Sequence, residues 1–201
     1  MDIFSLLAPV YDRLIPVADL ETLRGLLGLP CRGALLDLGG GTGRISRHFC
    51  KEAEKIVVVD LSLAMLRKGK LVPKVYRVAA DAAHLPFRPA SFACALVVDA
   101  LHHFPRQEET IAELVTVLAS GGRVVVEEPD IARSVVKVLV WVERLMRMRS
   151  RFLPATSIAD NLAARGLDVH IRRGSSFAVW VTGRKDNAAL GRRPLAGTKP
   201  E

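Results

Sequence analysis

Aromatic residues are scarce: two Trp, two Tyr and seven Phe make up 5% of the 201 residues. Stacking platforms for single-stranded nucleic acid are therefore few, and no RNA-binding module is visible, which argues against a nucleic-acid partner. The three cysteines, Cys31, Cys50 and Cys94, have neither the spacing of a zinc site nor that of a disulfide scaffold. Cys94 reads as a small buried residue within an apolar run. A reducing, cytoplasmic compartment and no bound metal are expected. A basic leader is missing too: "MDIFSLLAPVYDR" carries an acid at its second position, so no signal peptide is expected. Apolar runs such as Val138 to Val142 are far too short to span a bilayer. Also absent is the Gly-Lys-Ser/Thr ending of a phosphate-binding P-loop, because Gly43 is followed by Arg44 and Ile45.

Hydrophobic residues account for 50% of the chain, enough for a sizeable core, and the formal net charge is +8. That charge permits an anionic lipid, a nucleic acid or an acidic substrate as partner. Part of it sits near the C-terminus, where residues 185–201 lack periodicity and read as a disordered basic tail. Residues 1–184 read as one domain, with no internal repeat and no second boundary.

From Ala34 onward, strand-length apolar runs alternate with helix-like segments. Strands are expected at Ala34–Leu38, Lys55–Asp60, Lys74–Ala80, Phe92–Asp99 and Arg123–Glu128. Most are continuously apolar, as in a parallel sheet covered on both faces. Between them lie "GRISRHFCKE", "LSLAMLRKGK" and "QEETIAELVTVLAS". The last has a helical stripe at Ile111, Leu114, Val115 and Leu118, and the Gly121-Gly122 pair is expected to stop it. The pattern is α/β, a doubly wound sheet. Two further strands, Leu167–Arg173 and Ser176–Arg184, are separated by too few residues for a parallel crossover and must pair antiparallel. Seven strands result, mostly parallel with an antiparallel strand at the C-terminal end.

"LLDLGGGTGR", Leu35 to Arg44, places four glycines in five residues behind a strand. The dinucleotide fingerprint fits poorly, since Arg44 or Ser46 falls where its last glycine belongs. What fits is Asp37-x-Gly39-x-Gly41-x-Gly43, with Gly40 between: an acid at a strand end, then backbone that approaches a ligand without Cβ clashes. Asp37 can attract an ammonium, or alternatively cap loop amides. Asp60 ends the second strand about 20 residues on, where a carboxylate accepts ribose hydroxyls. Asp81 follows the third strand, placed for an adenine amino group. Leu61 and Met65 flank Asp60 and suit a purine face.

At these residues the chain resembles the class I S-adenosylmethionine-dependent methyltransferases. "LLDLGGGTG" is similar to that family's first motif, "VVVDLSLAMLRKGK" to its ribose-binding segment, and "AADAAHLPFRPASFACALVVDALHHF" to its adenine-binding acid and fourth strand. "ELVTVLASGGRVVVEEPD" resembles the helix and fifth strand beyond. The N-terminal Ala-x-x-Tyr-Asp of "FSLLAPVYDRLIP" resembles the ubiquinone and menaquinone biosynthesis C-methyltransferases. The resemblance implies a Rossmann-like fold, S-adenosylmethionine as cofactor, and cofactor contacts at Tyr11, Asp37, Gly39, Gly40, Gly41, Gly43, Asp60, Leu61, Met65, Asp81, Ala82 and Val98. The spacing of Tyr11 with Phe4 and Leu7 fits a stripe packing on the sheet equally well. The Asn-Met that usually follows Tyr-Asp is replaced by Arg13 and Leu14.

Methyl transfer is an in-line displacement in which positioning is the main protein contribution. An acceptor hydroxyl, or a carbon beside one, also needs a proton removed. His102 and His103, after the fourth strand, are the expected bases, with His84 and Asp99 as weaker alternatives. The turn Asp99-Ala100-Leu101-His102 lacks the Pro-Pro-aromatic of base-amino and glutamine methylation. No Pro-Cys for cytosine C5 chemistry exists, and the cysteines do not converge for arsenic. A small, lipophilic or quinone-like acceptor is expected. A non-catalytic cofactor-binding regulator or partner protein, and an RNA methyltransferase, are the alternatives. Ile131 to Phe152 reads as a basic amphipathic helix, which packs on the sheet or touches an anionic membrane peripherally.

Overall fold

The computed structural model describes residues 18–132, 150–174 and 177–186. Tyr11 with its Ala-x-x-Tyr-Asp segment, most of the basic amphipathic stretch (133–149) and the tail from 187 lie outside the described residues.

Helix α1 (Leu20–Leu27) starts where the Asp19 side chain accepts the Thr22 amide at 3.0 Å and ends at Gly28 in a left-handed cap. Strand β1 (Ala34–Leu38) is buried throughout. There follow β2 (Lys55–Asp60), α2 (Leu63–Lys68), β3 (Val75–Ala79), β4 (Phe92–Val98), α3 (Gln107–Val117), β5 (Leu118–Pro129), α4 (Ala155–Ala163), β6 (Leu167–Arg173) and β7 (Ala178–Lys185). All seven strands join one sheet in the order β3-β2-β1-β4-β5-β7-β6. β7 runs antiparallel to both β5 and β6, and the other pairings are parallel. The mixed α/β sheet matches the expected architecture.

Alternation along each strand divides the core into two layers. Leu36, Leu38, Val57 and Val59 face one side and belong to the same core layer as Ile111, Leu114 and Val115 of α3 and Ile158 and Leu162 of α4, the last helix packing over β6 and β7. Leu35, Ile56 and Val58 face the other, under Leu23 and Leu27 of α1 with Phe49 and Leu66. Each buried Leu or Ile contributes about 1.5–3 kcal/mol, more than local propensity differences, so packing sets the boundaries.

Two expectations need correction. "GRISRHFCKE" yields only a single 3-10 turn, Ser46–Phe49, because burying Ile45 and Phe49 takes no more chain. Helix α3 stops at Val117 rather than at the glycine pair. Leu118 already pairs with Phe92, and the register then jumps so that Cys94 meets Arg123. A Cβ on Gly122 would lie 2.7 Å from the Ala119 carbonyl oxygen, so the glycines form this irregularity within β5. The helix end is capped from a distance: Lys185 Nζ of β7 donates to the carbonyls of Val115 at 2.7 Å and Leu118 at 2.8 Å.

The chain lays down β1, β2 and β3 in one direction, then returns past β1 to place β4 on its other side. That reversal opens a crevice beyond the carboxyl ends of β1 and β4. Among the described residues no helix is long and apolar enough to cross a membrane.

Candidate functional site

The crevice holds a cavity of about 610 Å³, lined from β1, β2, β3 and β4 and the segments that follow them. Asp37, near the end of β1, is 2% exposed. The loop doubles over it: Gly39 N and Gly40 N both donate to the Val59 carbonyl, at 2.7 and 3.2 Å. At Gly40 a Cβ would sit 2.4 Å from Asp37 Oδ2, and at Gly39 (φ +73°) 2.6 Å from the Ala100 Cβ. Side chains are excluded at both positions by neighbours already present. Asp37 Oδ2 has no hydrogen-bond partner among the described residues. Burial, with the Asp60 charge adding, pushes its carboxyl up to about 6.

Asp60 ends β2 and ties two loops together. One oxygen accepts the Gly41 amide at 2.9 Å and the other the Ser62 amide at 2.7 Å. Ser62 in turn caps α2, its hydroxyl accepting the Met65 amide at 3.4 Å. Met65 thereby packs against the glycine loop, whereas Leu61 is left 76% exposed at the cavity wall. Past β3, Asp81 accepts the Ala83 amide at 2.9 Å and pairs with the Arg106 guanidinium. The Ala83 amide, followed by Arg106, holds its carboxyl below the usual range. Ala82 and Val98 complete this wall.

Ten of the twelve expected cofactor positions line the cavity: Asp37, Gly39, Gly40, Gly41, Asp60, Leu61, Met65, Asp81, Ala82 and Val98. Gly43 is not among the lining residues; a Cβ there would press on Val58 of β2 at 3.1 Å, so its backbone packs on the sheet. Tyr11 lies outside the described residues.

The histidine pair is split. His103 lines the cavity, its Nδ1 3.1 Å from the Ser150 hydroxyl, and burial pushes its imidazole down to about 3. His102 is 2% exposed, 2.6 Å from Glu128 Oε2 through Nδ1, stacked on Phe152 at 4.3 Å, and is not among the lining residues. His84 stands beside Asp81, 3.7 Å away.

Sequence reasoning passed over Arg44, Ser62 and Phe104 and ranked Asp99 low, yet all four line the cavity. Arg44 directly follows the last glycine of the motif and Phe104 directly follows the histidine pair, so adjacency was the available signal. Nothing local distinguished Asp99, whose φ of +51° belongs to the turn between β4 and the 3-10 segment Leu101–His103.

A family model described as a methyltransferase domain matches residues 36–126. The chain is 34% identical over 113 residues to the ubiquinone/menaquinone biosynthesis C-methyltransferase UbiE of Pseudomonas paraeruginosa, covering 51% of this chain and 44% of that protein. It is 30% identical over 156 residues to the demethylmenaquinone methyltransferase of Renibacterium salmoninarum, covering 77% and 62%. The chain thus spans about half the length of the curated relatives it matches. Among solved structures, a SAM-dependent methyltransferase of Thermotoga maritima superposes with a TM-score of 0.72 at 21% identity, over 92% of this chain and 99% of that one.

Proposed function

We propose that this member of the class I S-adenosylmethionine-dependent methyltransferases transfers a methyl group to a small, lipophilic acceptor of the quinol or phenol kind. The observation that carries the reading is one cavity into which three consecutive strands deliver Asp37, Asp60 and Asp81, with the glycine loop across its floor. The quinone-pathway names of the similar proteins support the acceptor class.

The residues present fit the cofactor. A buried, unpartnered carboxylate oxygen on Asp37 suits an ammonium. Asp60, held at the end of β2 by the Gly41 and Ser62 amides, presents a carboxylate at the cavity wall where a ribose hydroxyl can donate to it. Leu61 and Met65 offer apolar surface to a purine, and Asp81 with the Ala82 backbone faces its edge. Gly39, Gly40 and Gly41 let main chain approach the methionine end; Gly43 sets the loop on β2. Bound there, S-adenosylmethionine supplies a methyl already activated on a sulfonium. The chain's own work is to hold donor and acceptor in line, to exclude water and to receive a proton. His103 is the histidine placed to touch the acceptor, and His102 supports it through the turn they share.

The test is transfer of labelled methyl from S-adenosylmethionine to a panel of quinols, phenols, lipids and RNA, with calorimetry of the cofactor. Micromolar binding, about −8 kcal/mol, is expected. Binding of NAD in place of the sulfonium cofactor would overturn the reading.

A pH dependence follows from Asp37. A carboxyl raised from 3.8 to about 6 contributes stability below pH 3.8 that is lost as pH rises through 6. In the unliganded protein, then, the ionised form is the costly one, and an ammonium beside it reverses that cost. Cofactor affinity is therefore expected to be about tenfold higher at pH 7 than at pH 5. Asp37→Asn should flatten the profile. A flat calorimetric profile in the wild-type protein would remove Asp37 from the methionine end.

A further inference from the structure

We propose that Asp99 is the proton acceptor of this site, and that the methyl acceptor is accordingly a molecule with an acidic hydroxyl, a phenol or quinol, at or next to the methylated atom. The inference rests on the methyl-transfer reading above.

Asp99 is the first residue after β4 and lines the same cavity as Asp37, Gly39, His103 and Phe104. It is a non-glycine residue in the left-handed region, at φ +51°. Such a conformation costs about 1–3 kcal/mol and persists where the surroundings over-determine it. Here they do. The Asp99 amide donates to the Glu127 carbonyl at 2.9 Å, and the next amide, Ala100, donates to the buried Glu128 carboxylate at 3.2 Å. The turn keeps a carboxylate at the cavity wall, at the switch point of the sheet.

The histidine beside it is poorly suited to the same task. His103 is half-buried, and its partial loss of solvent disfavours the imidazolium it would have to become. The same loss of solvent acts on a carboxyl in the opposite sense. Burial raises Asp99 above the usual carboxylate range, with Glu128 adding and His102 and Arg44 opposing. Glu127 is also within electrostatic reach. A cavity that penalises charge thus makes Asp99 a stronger base and His103 a weaker one. His103 is left as a neutral hydrogen-bonding group that orients the hydroxyl.

The step balances. The acceptor's O–H proton passes to the Asp99 carboxylate as its carbon or oxygen attacks the methyl group. A new C–C or O–C bond forms while the S–C bond breaks, and that electron pair stays on sulfur. After attack through oxygen Asp99 returns the proton to water; after attack through carbon it returns the proton to the new carbonyl oxygen while the ring C–H proton leaves to water, which restores the aromatic ring.

Asn tolerates left-handed backbone as Asp does, so Asp99→Asn removes the base and leaves the turn. Wild type, Asp99→Asn, Asp99→Glu and His103→Gln would be assayed at saturating S-adenosylmethionine against a reduced naphthoquinone, benzenediols and primary amines. Calorimetry of the cofactor and an unfolding midpoint for each variant run alongside. The hydroxyl acceptors are expected to turn over. Asp99→Asn should lower kcat at least about a hundredfold, hold cofactor affinity within about twofold, and lose the acid limb of the kcat profile. Asp99→Glu should recover part of the rate. His103→Gln should lose less than Asp99→Asn and keep the acid limb. Asp99→Asn retaining more than a tenth of the wild-type kcat would overturn the assignment. So would a cofactor affinity that falls in step with kcat, which would place Asp99 among the cofactor's contacts. Turnover of amines alone would overturn the acceptor class and leave methyl transfer standing. Cofactor binding with turnover of neither class would overturn both.

Discussion

Glu128→Ala is expected to destabilise the fold by about 3–5 kcal/mol. Glu128, 5% exposed on β5, accepts three hydrogen bonds: from Ala100 N at 3.2 Å, from Leu101 N at 2.8 Å and, through its other oxygen, from His102 Nδ1 at 2.6 Å. These donors belong to the turn that leaves β4 and contains the 3-10 segment Leu101–His103. Truncation strands all three in a region water does not reach, and each orphaned polar group costs about 1–3 kcal/mol. The damage spreads from there. The His102 carbonyl accepts the Arg151 amide at 2.8 Å, and Gln107 Nε2 bridges the carbonyls of Leu101 and Arg151 at 2.9 and 2.6 Å. Denaturant unfolding should show the midpoint falling with an unchanged m-value, and the melting temperature should drop by about 10 °C or more. Glu128→Gln should fall between, since its amide oxygen still accepts while its NH₂ meets a donor. A loss under about 1 kcal/mol in the alanine variant would show that water enters and that the turn does not depend on this carboxylate.

The second large effect is expected at Asp60. Asp60→Ala should weaken S-adenosylmethionine binding by about 2 kcal/mol or more, roughly thirtyfold, through lost charge-assisted bonds to ribose. The structure adds a cost that the ligand does not explain. Gly41 N and Ser62 N lose their common acceptor, so the glycine loop and the start of α2 come apart in the unliganded protein. Stability should fall by about 1–3 kcal/mol as well. Asp60→Asn separates the two contributions, because its oxygen still serves one amide while the charge is gone. Calorimetry and unfolding together decide it: wild-type cofactor affinity in Asp60→Ala would take the ribose contact away from this residue. Loss at Asp81 should be smaller, as Arg106 already occupies one of its oxygens.

How far these residues could be read in advance depended on how local their causes are. The Asp37-x-Gly39-x-Gly41-x-Gly43 pattern was legible because strand end and loop are contiguous. The continuous apolar runs within β2 and β4 marked a sheet covered on both faces, and the short gap between β6 and β7 forced their antiparallel pairing. The end of α3 was misread, since Lys185 caps it from 67 residues away at Leu118 and the pairing of Leu118 with Phe92 outcompetes another helical turn. His102 and His103 looked equivalent as neighbours. Glu128, arriving on β5, draws His102 into the core, while His103 stays on the cavity wall.

By itself, then, the order of residues determined the elements, their alternation and the three strand-end acids, because those follow from backbone periodicity and from steric limits within a few residues. Tertiary structure alone decided which carboxylate became an acceptor of loop amides, which became a buried and unpartnered oxygen, and which was held at the cavity wall in a left-handed turn. Asp60, Asp37 and Asp99 are chemically alike in the chain. They differ only in the donors, charges and solvent that the folded sheet brings within a few ångströms, and a carboxylate's energy is set by that surrounding and not by its place in the sequence.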